Sequence, residues 1–267
     1  MGYSSRSGQK QAQEKAANAL QARPPIFYDE YIYQTKREKN MQDVSQSGLE
    51  AASAQGLFQD VCQGTEAWRL ARCGKVTASR VADIIRKTLK GISADRQNYA
   101  SELVVERLTG APADNGFVSA AMQHGIDAEH DARRAYQFYI DMPVITVGFV
   151  NHPTIVMACA SPDGLVGDFG LVEIKCPQSK KHIQTLLGAP IVPYYATQML
   201  WQMACTGRGW CDFVSFDPRL PPDLQLHVVP FERDDVRIAQ LEAEVRKFLA
   251  DLDETEAALL RRYREAA

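Results

Sequence analysis

One short string restricts the fold of this chain more than any other. Leu171-Val172-Glu173-Ile174-Lys175 alternates apolar and polar residues between Gly170 and Cys176-Pro177. Successive side chains of a strand point to opposite faces. The alternation therefore predicts a strand with Leu171, Glu173 and Lys175 on one face and Val172 and Ile174 on the other. Upstream, Cys159-Ala160-Ser161 runs into Pro162-Asp163-Gly164, which is turn chemistry. Gly167-Asp168-Phe169-Gly170 is a second turn signal. Asp163, at the end of one strand, then faces Glu173 and Lys175 on the next.

Two carboxylates held side by side repel unless a cation sits between them. Hard divalent ions such as Mg²⁺ take oxygen ligands and bind through one or two carboxylates plus substrate phosphate. A lysine beside such an ion orients or activates water, or offsets charge building on phosphate. Asp163, Glu173 and Lys175 are thus the parts of a metal-dependent phosphodiesterase. Glu-x-Lys by itself is weak, since about one arises by chance in a chain of this size. The surrounding string has to carry the reading.

With 267 residues, of which 45% are hydrophobic, the chain can build one large domain or two small ones. Its net charge of -3 gives no global signal for nucleic acid, although binding needs only a local basic patch. The cysteines at 62, 73, 159, 176, 205 and 211 form no Cys-x-x-Cys pair. They read as reduced thiols of a cytoplasmic protein and exclude a disulfide frame or a zinc site. No apolar run reaches transmembrane length, and the N-terminus lacks a signal-peptide apolar core. Gly-rich phosphate loops and Gly-x-Ser-x-Gly are absent, which removes support for a nucleophile elbow.

Residues 1 to 55 are rich in Gln, Ser, Ala, Lys and Glu and read as a peripheral or flexible N-terminal extension, with a helix over 11–22. Residues 56 to 267 then form a single domain. Thr77 is expected to cap a helix from Ala78 to Lys87 whose Arg80, Arg86 and Lys87, with Lys90 beyond, make a basic face. That face suits solvent or DNA phosphates. Amphipathic helices follow over 93–108 and 119–139. In the second, Glu129 and Arg133 lie four apart, the spacing of an ordinary helix ion pair. Strands are expected over 143–150 and 154–159, a short helix over 179–187, and another from Pro193 to Cys205 containing Gln198, Trp201 and Gln202. Strands over 210–216 and 224–231 and a long amphipathic helix over 234–262 complete the chain. The order, with about five strands, describes an α/β core with a mixed sheet.

Taken together, Trp68 to Ser79, Met122 to Glu129, Ser161-Pro162-Asp163-Gly164, Glu173-Ile174-Lys175-Cys176-Pro177 and Tyr195-Ala196-Thr197-Gln198 resemble, in order, the phage lambda exonuclease family, the YqaJ-type viral recombinases. The resemblance covers roughly residues 60 to 250. It implies a restriction-endonuclease-like core, with a central mixed β-sheet flanked by helices. It also implies an Mg²⁺-dependent enzyme, with Mn²⁺ a substitute, that degrades one strand of linear duplex DNA processively from its 5′ end. A ring-shaped homotrimer acting on double-stranded DNA ends is implied, in a bacterial or phage-infected cell. The remaining 3′-ended strand would pass to a single-strand annealing protein.

Carried over by position, Asp163 and Glu173 resemble the metal-binding carboxylates, and the backbone carbonyl of Ile174 a further ligand. Lys175 resembles the catalytic lysine, Glu129 an acidic residue of the same site, and Gln198 the active-site glutamine. Arg72, Ser79 and Ser161 resemble a pocket for the 5′-terminal phosphate, which an Arg with hydroxyl partners suits. Met122 falls where the family has an apolar wedge at the duplex end, though a core methionine also fits that position. A second glutamine two residues after the first is common in the family; here that place is Leu200. Two other readings are a structure- or sequence-specific endonuclease of the same fold and a non-catalytic DNA-end-binding protein.

Overall fold

The computed structural model describes residues 58–59, 61–88, 91–113 and 119–263. The expected extension over 1–55, Lys90 and part of the loop after Ala111 lie outside these residues.

Eleven strands among the described residues form three sheets. The central one contains β5 (Val144–Ile145), β8 (Gly164–Val166), β9 (Gly170–Lys175), β10 (Trp210–Phe216) and β11 (Leu226–Glu232), in the order β11-β10-β9-β8-β5. It is mixed, because β9 and β10 are parallel while the other neighbours are antiparallel. A smaller sheet orders β1 (Phe58–Gln59), β6 (Phe149–Asn151), β7 (Ala158–Ala160) and β2 (Val76–Thr77). β3 (Lys87–Thr88) and β4 (Gly91–Ile92) make a two-stranded ribbon.

The helices are α1 (Glu66–Arg72), α2 (Val81–Ile85), α3 (Ala94–Thr109), α4 (Ala120–Ile140), α5 (Ser179–Leu186), α6 (Pro193–Thr206) and α7 (Asp235–Tyr263). They cover both faces of the central sheet. Leu171 and Phe213 pack with Met199, Trp201 and Met203 of α6 and with Leu241, Val245 and Phe248 of α7. Val172, Ile174 and Val214 pack on the opposite face against Ala132 and Tyr136 of α4. The alternation expected for β9 is therefore the alternation found.

Several local expectations fail. The helix expected over 78–87 divides into a 3₁₀ turn, Ala78–Arg80, followed by α2, and Arg86 turns to extended backbone leading into β3. Thr77 makes no side-chain cap. Its basic face is also largely neutralised: Arg80 pairs with Asp83 at 2.7 Å and Glu102 at 2.8 Å, and Arg86 pairs with Asp95. Finally, the single strand expected over 143–150 is two strands in two different sheets, β5 and β6, and the strand expected over 154–159 shortens to β7. Pro162-Asp163 is consequently the crossover between sheets, whereas the hairpin turn lies at Gly167–Phe169, between β8 and β9.

Arg208 fastens that hairpin. One guanidinium nitrogen donates to the carbonyls of Gly167 at 2.8 Å and Gly170 at 2.7 Å, with Val166 at 3.4 Å. Burial lowers its pKa to about 10, which still leaves it cationic at neutral pH. A leucine here orphans buried carbonyls, each a costly loss. Arg208→Leu is expected to destabilise the domain by about 2–3 kcal/mol, read as a drop of roughly 5–10 °C in melting temperature. An unchanged melting temperature would show that the hairpin does not need this arginine.

Candidate active site

Asp163 stands immediately before β8, which is antiparallel to β9, so it arrives beside Glu173 and Ile174. Ile174 donates its backbone N–H to Asp163 Oδ2 at 2.7 Å. The N–H and C=O of one strand residue leave on the same side. The Ile174 carbonyl thus projects toward the Asp163 side of β9, where a carbonyl ligand was expected.

Glu173 is fully buried under α6. Gln198 Nε2 donates to its Oε1 at 2.7 Å, and Gln202 Nε2 donates to its Oε2 at 2.6 Å. Lys175 also pairs with Oε1 and places its ammonium 5.2 Å from the centre of the Tyr195 ring. Burial would lower the pKa of Lys175, but Glu173 and Asp163 carry it above its ordinary value. The lysine is therefore a standing cation and a donor. Asp163 behaves oppositely. Burial first, then repulsion from Glu173 and, more weakly, Glu129, pushes its carboxyl well above the ordinary range against the pull of Lys175 and the Ile174 N–H.

Glu129 comes from α4, on the far side of the sheet from α6, and bonds Arg133 one turn on. The helix ion pair and proximity to the site both hold, since its charge is felt at Asp163 and at Cys176. Met122 lies in the first turn of α4 and is 55% exposed, so it is not a core filler.

The residues expected to hold a phosphate come from α1, the segment after β7 and the turn after β2. Arg72 lies over the Trp68 ring at 3.7 Å, and Trp68 Nε1 donates to the Gly148 carbonyl at 2.9 Å and to Ser161 Oγ at 3.3 Å. Arg72 Nε is buried with no hydrogen-bond partner, and the guanidinium interacts with the buried Cys159 thiol, pulling against the rise that burial causes there. Ser79 follows Thr77, whose register partner is Cys159, two residues before Ser161. Ser79 itself meets Thr77 Oγ1 at 3.4 Å, and its carbonyl accepts from the Tyr194 hydroxyl.

Two contributors escaped the sequence reading. Gln202 is one; its signal was the spacing of four from Gln198, which puts both amides on one face of α6. Tyr195 is the other, an aromatic wall for Lys175.

Oxygen donors on neighbouring strands with a lysine beside them, in a mixed sheet flanked by helices, define a nuclease core of the restriction-endonuclease-like class. The chain belongs to the YqaJ-like viral recombinase family, whose domain matches residues 67–209. It is 50% identical to the alkaline exonuclease LHK-Exo of Laribacter hongkongensis, with 76% of this chain and 100% of that chain covered and a TM-score of 0.70. The complex of LHK-Exo with dAMP gives 0.71 at the same identity and coverage. The fold is shared with a phage-related exonuclease from Haemophilus somnus 129PT, 15% identical, with a TM-score of 0.50 over 70% of this chain and 96% of that one. No curated protein sequence matches significantly.

The raised carboxyl of Asp163 has a consequence for stability. Its proton is held more tightly in the folded state, so its contribution is complete below the ordinary value of 3.8 and is lost as pH rises through the raised one. Neutralising it should relieve the metal-free protein. Metal-free Asp163→Asn is expected to melt above the wild type at pH 8, by about 2–4 °C per kcal/mol of repulsion removed, with the gap closing toward pH 4. Equal melting temperatures at pH 8 would contradict the repulsion.

Proposed function

We propose that this chain, an exonuclease of the YqaJ-like recombinase family, degrades one strand of linear duplex DNA from its 5′ end, one nucleotide at a time. The observation that carries the reading is the convergence of Asp163, Glu173 and Lys175, with Arg72 packed on the Trp68 ring that bonds Ser161, two residues before Asp163. The relative LHK-Exo has been crystallised with dAMP, a 5′-mononucleotide of the kind such a reaction releases.

The residues present fit a divalent cation of the Mg²⁺ type, with Mn²⁺ as a substitute. Asp163, Glu173 and the Ile174 carbonyl would hold it, and all are hard oxygen donors. The repulsion that lifts Asp163 is what a cation there would relieve. Among the described residues no three His, Cys, Asp or Glu side chains form a closed metal cage. Mg²⁺ suits such an open site, since it keeps waters and shares its coordination with substrate phosphate. When bound, the ion supplies Lewis-acid polarisation of the scissile phosphate.

The chain's own residues do the rest. Lys175, cationic at neutral pH, donates to the attacking water or to the phosphoryl oxygen on which charge builds. It is too basic to take the water's proton. Glu129 adds negative charge at the edge of the site and Gln198 holds Glu173 in place. Arg72, with Ser161 and Ser79, receives the 5′-terminal phosphate by charge-assisted hydrogen bonds. Each cut then exposes a new 5′-phosphate for the same pocket. Met122, exposed on the first turn of α4, serves as the wedge at the duplex end. A homotrimeric ring retains the DNA without high affinity, which suits a net charge of -3. Residues 56–267 form the exonuclease domain, and the 3′-ended product strand goes to a single-strand annealing protein. Among the described residues no helix is long and apolar enough to cross a membrane.

Digestion of linear duplex labelled at either the 5′ or the 3′ end of one strand, alongside a covalently closed circle, tests this reading. The 5′ label is expected to appear at once as mononucleotide in the presence of Mg²⁺. The 3′ label should stay on long fragments and the circle should survive. Lys175→Ala should lose at least about a hundredfold in rate while still binding DNA ends. A cut circle would favour an endonuclease, and undegraded linear DNA a binding protein.

A further inference from the structure

Gln202 poses a question that the catalytic reading leaves open. It is completely buried in a helix whose residues from Ala196 to Thr206 are all buried, among Trp201, Met203 and Cys205. A primary amide in such a place is costly unless both ends are bonded. Both ends are. Nε2 donates to Glu173 Oε2 at 2.6 Å, while Oε1 lies 4.0 Å from Cys211 Sγ, whose single proton is shared with the Asp212 carbonyl at 3.9 Å. Burial, then the nearby Glu173 and Asp212 charges, raises the Cys211 thiol well above its ordinary value, so it keeps its proton. The carboxylate, which only accepts, fixes which end of the amide faces it.

The two oxygens of Glu173 are not equivalent. Oε1 accepts from both Gln198 and Lys175, whereas Oε2 accepts from Gln202. A carboxylate oxygen has about two acceptor sites, so Oε2 retains one for a cation. Without Gln202 the carboxylate is held only through Oε1 and can pivot about its last side-chain bond.

We infer that Gln202 is a positioning residue that fixes the plane of the Glu173 carboxylate for divalent-cation binding. The inference rests on the proposed metal role of Glu173 and names the outer hydrogen bonds that set it. Such outer partners of a metal ligand govern affinity by about 10–100-fold. Their effect reaches the reaction through the cation and not through DNA.

Calorimetric titration of Mg²⁺ into the full chain without DNA provides the test. It compares wild type, Gln202→Met and Glu173→Gln, with DNA-end affinity measured separately in chelator. Methionine nearly preserves the side-chain volume, so packing changes little. Gln202→Met should bind Mg²⁺ at least about tenfold more weakly with DNA-end affinity unchanged, and Glu173→Gln should show no binding. Wild-type Mg²⁺ affinity in Gln202→Met, with binding lost in Glu173→Gln, overturns the role of Gln202 alone. Wild-type affinity in Glu173→Gln overturns the metal reading beneath it. Should Gln202→Met fail to fold, Gln202→Leu takes its place. Weaker Mg²⁺ binding in the leucine variant with DNA-end affinity unchanged supports the inference; wild-type affinity overturns it.

Discussion

The site depends on one buried carboxylate being held among hydrogen-bond donors. Glu173 has no exposed surface and lies beneath a helix that is buried from Ala196 to Thr206. Taking such an ion out of water costs several kcal/mol even after relaxation. The cost is offset by charge-assisted hydrogen bonds from two amides and by a lysine two residues along the same strand face. These partners constrain much else. α6 must cross the sheet at the height of Glu173, with its glutamines four apart and facing inward. β9 must stay in parallel register with β10, so that Glu173 lies opposite Phe213 and Lys175 opposite Ser215.

The strand that bears the chemistry also divides it from the packing. Its odd-numbered residues meet α6 and supply Glu173 and Lys175, while Val172 and Ile174 sink into the apolar cluster under α4. Backbone and side chain share the work at Ile174, whose N–H holds Asp163 while its side chain anchors the other layer. A one-residue slip of register would exchange the two faces and bury valine where the carboxylate belongs.

β9 was legible in the sequence because period-two alternation is a local property and both faces of the strand carry it plainly. Asp163, Glu173 and Lys175 were legible for the same reason, being close along the chain. What failed was set at long range. Nothing local shows that residues 143–150 divide between two sheets, since that depends on β8 capturing one half and β1 and β7 the other. The basic stretch around Arg80 and Arg86 looked available for phosphate because its acids, Glu102 and Asp95, lie on α3. Gln202 was hidden by its apolar neighbours, which mark a core helix, and only its spacing from Gln198 betrayed it.

Asp163, Glu173 and the Ile174 carbonyl are proposed to hold a divalent cation together. Anomalous diffraction from crystals equilibrated with Mn²⁺ is the direct test. A peak is expected within a coordination distance of about 2.0–2.3 Å of these oxygens, the range for small hard cations. A Mn²⁺ peak elsewhere in the molecule, with none between Asp163 and Glu173, would contradict it.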